Sequence, residues 1–185
     1  MDPMMQLLML HPDLDQFSFS DAMGARPLSS EDASSLASLL NEAFEDGAWT
    51  SEQVHEKLLN ASDILQVYGV VEHGAVVATA SARQDESSFP GQGYVHMVAT
   101  GLAARGRGLG RAVTEAVLAR FAAEGLTEAV LETDDWRVPA VRTYLAMGFV
   151  PVIRDHTHYR RWSPVLQAAY RPVPASSASV VKDPR

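Results

Sequence analysis

Arg105 to Gly110, "RGRGLG", follows the run Tyr94 to Thr100, "YVHMVAT", across the short link Gly101 to Ala104, and opens "RAVTEAVLARFAAEG", Arg111 to Gly125. Three glycines and two arginines in six residues, between a strand-like and a helix-like pattern, describe a backbone shaped to hold an anion. The first turn of a helix leaves N–H groups without partners and carries the positive end of the peptide dipole, and glycines let a phosphate come close to those donors. Arg105, Arg107 and Arg111 would add charge, and Gly106, Gly108, Leu109 and Gly110 would offer backbone. Two phosphate motifs are disfavoured by spacing. A dinucleotide turn of the G-x-G-x-x-G type would need its last glycine where Arg111 stands and would follow its strand directly, although Glu132 lies at a suitable distance downstream. A P-loop would need Gly-Lys-Ser/Thr, which is absent. Taken alone, the six residues also fit a glycine-rich cap on an ordinary helix.

Outward from this stretch, hydrophobic spacing predicts alternating helices and strands. Ala33, Leu36, Leu39/Leu40 and Ala43/Phe44 recur at helical spacing behind Ser29 or Ser30 as cap, with Gly47 as the stop. Thr50 with Gln53 in capping-box position starts a second helix, "TSEQVHEKLLNA". "ILQVYGVVE" and "AVVATASAR", separated by His73 and Gly74, read as an antiparallel hairpin. "TEAVLET" reads as a strand, a helix follows from about Pro139 to Met147, and "FVPVIR" and "HTHYRRW" are expected as two closing strands. Residues 1–23 are expected as an N-terminal extension, an extra strand or a mobile end. Residues 24–163 would form the domain, and the Pro/Ser-rich 164–185 a mobile tail.

Composition limits the partners. The 185 residues are 46% apolar and 21% charged, in the range of a soluble globular domain, with a formal net charge of −8. That sign disfavours nucleic acid and anionic membranes, and favours cationic amines weakly. With no cysteine there is no disulfide framework, thiolate metal site or cysteine nucleophile, which fits a cytoplasmic address. "MDPMMQLLML" has no basic segment before its apolar patch and is too short to span a bilayer.

"VHMVATGLAARGRGLG" and "LETDDWRVPAVRTYLAMGFVPV" together resemble the GNAT superfamily of acyl-CoA-dependent N-acyltransferases. The superfamily's Arg/Gln-x-x-Gly-x-Gly/Ala is matched by Arg105, Gly108 and Gly110, and its Ala-x-x-x-Tyr-x-x-x-Gly-Phe by Ala140, Tyr144, Gly148 and Phe149. The likeness spans about residues 26–162. It implies an α/β (α+β) fold with a mixed, mainly antiparallel sheet of six to seven strands flanked by helices. It also implies that the anion is the diphosphate of coenzyme A, with acetyl-CoA as co-substrate. Arg137 stands where the family often has Asn, which would alter a contact to pantetheine or to the adenine side; Gly101 and Leu102 replace a frequent His-Pro.

The resemblance also assigns roles. Val98, Ala99 and Thr100 would face pantetheine where the strand splays, with the Val98 N–H near the thioester oxygen; Arg137 and Ala140 would lie along the coenzyme; Tyr144 would protonate the departing thiolate. His96, taken to share a strand face with Tyr94 and Val98, is the candidate base, and its position resembles that of a catalytic histidine in arylalkylamine N-acetyltransferases. Glu45, Asp46 and Glu132 are alternatives. His156 and His158 lack a third metal ligand, so no metal is expected, and Trp49, Trp136 and Trp162 would line the acceptor pocket or pack. The implied reaction is direct acetyl transfer to a primary amine of a small molecule, with a homodimer left open. A protein or peptide acceptor, a catalytically silent acyl-CoA-binding module and a nicotinamide-dependent enzyme are the alternatives.

Overall fold

The computed structural model describes residues 6–18, 24–44 and 48–171. Seven strands form one sheet in the order β2-β3-β4-β5-β6-β1-β7. They are β1 (Leu7–His11), β2 (Ala25–Pro27), β3 (Ile64–Glu72), β4 (Ala75–Arg83), β5 (Gly93–Thr100), β6 (Ala129–Thr133) and β7 (Val150–Pro151). Only β5 and β6 pair in parallel; the other pairings are antiparallel. The mixed, mainly antiparallel sheet is the one the resemblance implies.

Helices cover the sheet on two sides. Leu36, Leu39 and Leu40 of α1 (Ala33–Ala43) and Val54 of α2 (Ser51–Val54) enclose one core with Val67, Val76 and Ala99. Apolar residues of α3 (Leu109–Ala123), α4 (Val138–Ala146) and α5 (His156–Tyr170) enclose a larger one with Leu7, Met9, Ala80, Ala82, Val95 and Leu131. Closely spaced helices on a sheet need small residues, and Gly93 supplies one: a Cβ there would lie 2.4 Å from the Phe121 ring of α3.

Local chemistry explains most boundaries. Thr50 accepts from the Gln53 N–H at 3.3 Å while its own N–H donates to Gln53 Oε1 at 3.2 Å, so the expected capping box starts α2. The helix then widens into a π-helical turn, His55–Leu59. His73 (φ +51°) and Gly74 (φ +79°) make the left-handed pair of a tight turn between β3 and β4, as the spacing predicts. α1 ends at Ala43, and Gly47 lies outside the described residues.

Three expectations are corrected. "HTHYRRW" is the start of α5 rather than a strand, because Asp155 caps it: its carboxylate accepts from the His158 N–H at 2.9 Å. β-branched and aromatic content in a short run could not report that cap. "FVPVIR" contributes only Val150 and Pro151 to the sheet. Pro164 lies inside α5, which runs to Tyr170, so the chain does not leave the domain at residue 164; residues 172–185 lie outside the described residues. The expected N-terminal strand exists as β1, and it is no appendage: it pairs with β6 over five residues and with β7. Residues 1–5 and 19–23 are outside the described set.

Candidate active site

The site begins where two parallel strands separate. β5 and β6 pair at Gly93–Ala129, Tyr94–Val130 and Val95–Leu131, and there the ladder ends. Among the described residues, β5 continues through His96, Met97, Val98, Ala99 and Thr100 with no strand paired on its β6 side, which leaves backbone donors and acceptors along a notch. In an otherwise paired sheet, such a run needs another molecule or water to satisfy it.

A bulge shapes the free segment. On the β4 side His96 opposes Ser81 and Ala99 opposes Thr79, leaving Met97 and Val98 opposite Ala80 alone. Met97 takes φ +52°, a left-handed conformation uncommon for a long side chain. The extra residue shifts the alternation. Val98 therefore packs with the α3-side core, whereas Met97 and Ala99 pack with the α1-side core. His96 stays with Tyr94, their rings 5.5 Å apart. The expectation that His96 and Val98 share one face is thus corrected: they flank the notch from opposite sides of the sheet.

β5 leads through Gly101 and a single 3-10 turn, Leu102–Ala104, into the glycine stretch. Gly106 (φ +76°) and Gly108 (φ +78°) are both left-handed, and Gly108 is the N-cap of α3. A side chain at either position would be strained, which is the physical reason for glycine there. The Ala112 N–H donates to the Gly108 carbonyl, so the N–H groups of Leu109, Gly110 and Arg111 precede the first intrahelical bond. A Cβ on Gly110 would lie 3.3 Å from Thr100 Oγ1, which shows how tightly the strand end abuts the first turn of α3.

The three arginines are not equivalent. Arg107 is held by Glu72 at the end of β3, through bonds of 3.0 and 2.6 Å, and Arg111 by Glu115 at 2.7 Å. Arg105 is exposed and makes no ion pair among the described residues. Arg137, at the N-cap of α4, donates through Nε to Asp134 at 2.9 Å and stacks on Trp136 and Phe44, 4.4 and 5.3 Å from the ring centroids. It therefore joins the end of α1 to the start of α4 beside the notch.

Tyr144 projects from α4 into the α3-side core, where its ring meets Phe149 edge-on at 5.8 Å. Burial pushes its phenol up to about 12, against a smaller opposing effect of Arg137. It keeps its proton at neutral pH. His96, on the other side, is mostly buried and its Nδ1 has no hydrogen-bond partner among the described residues. Desolvation, helped by Arg83 and opposed by Asp63, pulls the imidazole down to about 4. It is neutral at pH 7, able to accept a proton and weakly basic.

Other candidates sort themselves by position. Glu132 is exposed and its Oε2 accepts from the Tyr94 O–H at 3.1 Å; desolvation first, and then the Glu132 charge and this bond, raise the Tyr94 phenol. Glu45 and Asp46 lie outside the described residues. Trp162 is wholly buried in the core, Trp136 is exposed against Arg137, and Trp49 is tied to Asn41 with Lys57 over its ring. His156 and His158 fall two apart on a helix, and no cluster able to hold a metal ion occurs among the described residues. Sequence reasoning missed Met97 and Phe44. Neither carries a chemical signature, and both matter through backbone strain or stacking that only the folded chain shows.

The acetyltransferase (GNAT) family model matches residues 33–149, well over half of the chain, and the chain belongs to that family. Among curated proteins, it is 32% identical over 124 residues to a mycothiol acetyltransferase from Frankia casuarinae, covering 62% of this chain and 36% of the relative. It is 27% identical over 147 residues to one from Gordonia bronchialis, covering 75% and 47%. The chain thus spans less than half the length of these relatives. Among solved structures, a GNAT-family protein from Novosphingobium aromaticivorans superimposes with a TM-score of 0.63 at 25% identity, covering 79% of this chain and 59% of that one. An aminoglycoside N-acetyltransferase in complex with coenzyme A shares the fold, with a TM-score of 0.62 at 15% identity, covering 71% and 90%.

Proposed function

We propose that this domain is an N-acetyltransferase that moves an acetyl group from acetyl-CoA directly to a primary amine of a small molecule. The observation that carries the reading is the notch between β5 and β6, open from His96 to Thr100, lying against the donor-rich first turn of α3. The residues fit the coenzyme: Gly106, Gly108 and Gly110 leave room at the helix N-terminus for a diphosphate. Leu109, Gly110 and Arg111 have N–H groups to offer it, and Arg105 has an uncommitted charge. The unpaired edge of Val98, Ala99 and Thr100 suits the amide groups of a pantetheine arm, with Arg137 and Ala140 of the α4 start beside it. The family relationship and the coenzyme A bound to a structural neighbour support the same choice. The curated relatives are named for mycothiol, which supports a small molecule over a protein as acceptor.

Bound there, the co-substrate supplies an acetyl group activated as a thioester. In the transfer the amine nitrogen bonds to the acetyl carbon, the carbon–sulfur bond breaks, and the products are an acetamide and the free thiol. The chain's part is proton handling and charge placement. The Val98 N–H is available to a developing oxyanion. His96 takes the proton that the amine loses, directly or through a water, its neutral form being fully populated at pH 7. Tyr144 delivers a proton to sulfur. With its phenol at about 12 it is a weaker acid than free tyrosine, but a thiolate in the same dry setting is more basic than in water.

The test is a thiol-release assay with acetyl-CoA and a panel of primary amines, with mass spectrometry of the product. Release that depends on amine, with the amine gaining one acetyl group, is the expected outcome. Binding of acetyl-CoA without turnover of any amine would replace this reading with that of a silent acyl-CoA module.

A further inference from the structure

We propose that Glu132 holds a second cationic group of the acceptor, so that the preferred substrates are diamines or longer oligoamines; this rests on the acetyltransferase reading above. Glu132 is an exposed carboxylate beside the notch, yet it has no ion pair among the described residues. The acidic groups around it are engaged: Asp134 with Arg137, Asp135 with Arg161, Asp63 with Arg83, and Glu128 with the Gln92 side chain. Glu132 instead accepts a single bond from the Tyr94 O–H at 3.1 Å. A phenol orients a carboxylate without neutralising it, and a carboxylate has further lone pairs to offer a cation.

Position supports the same role. Tyr94 lies beside His96, and Tyr94 and Glu132 meet across the β5–β6 seam, so Glu132 stands on the His96 side of the sheet, the side from which the acceptor comes in this reading. Val95 is level with Leu131. Glu132 is one step up β6 from that pair, and Val98 is three residues up β5 with one of them absorbed by the bulge. The axial offset between the carboxylate's residue and Val98 is one to two residues, roughly 3–7 Å at the strand rise. Two nitrogens joined by a chain of about three to five carbons span that interval with ordinary bond lengths. A carboxylate on the reacting nitrogen itself would hold it as an ammonium and slow attack, so the charge is better used on the other end of the molecule.

The experiment compares diaminobutane with butylamine, two acceptors of equal chain length, in wild type and Glu132→Gln. In wild type the ratio of kcat/KM, diamine over monoamine, is expected at about tenfold or more, carried by KM, as for a charge-assisted contact. In E132Q, which keeps an oxygen for the Tyr94 bond, the ratio falls to near one. A wild-type ratio near one, or a ratio that survives E132Q, overturns the proposal; the wild-type comparison stands even if the variant folds poorly. Acetylation of butylamine with no advantage for the diamine leaves the acetyltransferase reading intact; turnover of neither amine overturns the diamine preference, and the acetyltransferase reading then falls only if the wider amine panel also gives no product.

Discussion

Replacing His96 by glutamine tests the desolvation argument without any knowledge of the substrate. Folding removes the imidazole from water and brings it near the Arg83 charge, pulling its titration from the ordinary 6.5 to about 4, while the unfolded chain keeps the ordinary value. Between those two pH values the unfolded state binds the proton and the folded state does not. Stability therefore falls as the pH drops from about 6.5 toward 4, then levels off once the folded form also protonates. The linkage relation gives almost no contribution at pH 7 and a loss of about 2 kcal/mol at pH 5. Glutamine does not titrate, and the depressed carboxylates such as Asp32 and Asp135 are common to both proteins. Urea unfolding of wild type and His96→Gln at pH 7 and pH 5 isolates the effect. Wild type is expected to lose about 2 kcal/mol more than the variant between the two pH values. Equal losses would show that His96 is not desolvated in the folded chain and would weaken its assignment as a neutral base.

Gly93→Ala places a methyl group 2.4 Å from the Phe121 ring, so α3 must shift on β5; a loss of about 1–3 kcal/mol in urea unfolding is expected, and an unchanged midpoint would refute the packing. Tyr144→Phe keeps the buried ring and removes the hydroxyl proposed to protonate the thiolate, so kcat should fall by about a hundredfold or more with acetyl-CoA affinity retained. Unchanged kcat would assign Tyr144 to packing alone.

Much of the fold can be read from local patterns because its elements are locally encoded. The hairpin at His73–Gly74, the capping box at Thr50 and Gln53 and the glycine cap of α3 each depend on a few neighbouring residues. The glycine stretch before α3 is legible for the same reason: it is a contiguous loop whose left-handed glycines carry the constraint. What escaped depends on distance or on one bond. α5 looks like a strand until the Asp155 carboxylate is seen to cap it, and β7 looks long because "FVPVIR" is apolar whether or not a partner strand continues beside it. The His96 side of the notch is harder still to read. Strict alternation puts His96 and Val98 on one face, but the bulge at Met97 reverses the second of them, and a bulge is decided by the register with β4. Likewise the stack of Arg137 on Phe44 joins residues 93 positions apart, a contact that no local pattern records.

If the stretch from Arg105 to Gly110 binds the diphosphate of coenzyme A, affinity for acetyl-CoA must depend on the left-handed glycine that caps α3. The decisive measurement is calorimetric titration of the purified protein with acetyl-CoA, with NAD as the parallel ligand, in wild type and Gly108→Glu. Binding of acetyl-CoA in the micromolar range is expected, with no comparable binding of NAD and with loss of the acetyl-CoA signal in a Gly108→Glu variant whose circular dichroism is unchanged. Absence of acetyl-CoA binding by the folded wild-type protein, or affinity that survives a glutamate at the left-handed N-cap of α3, would contradict that role for the stretch.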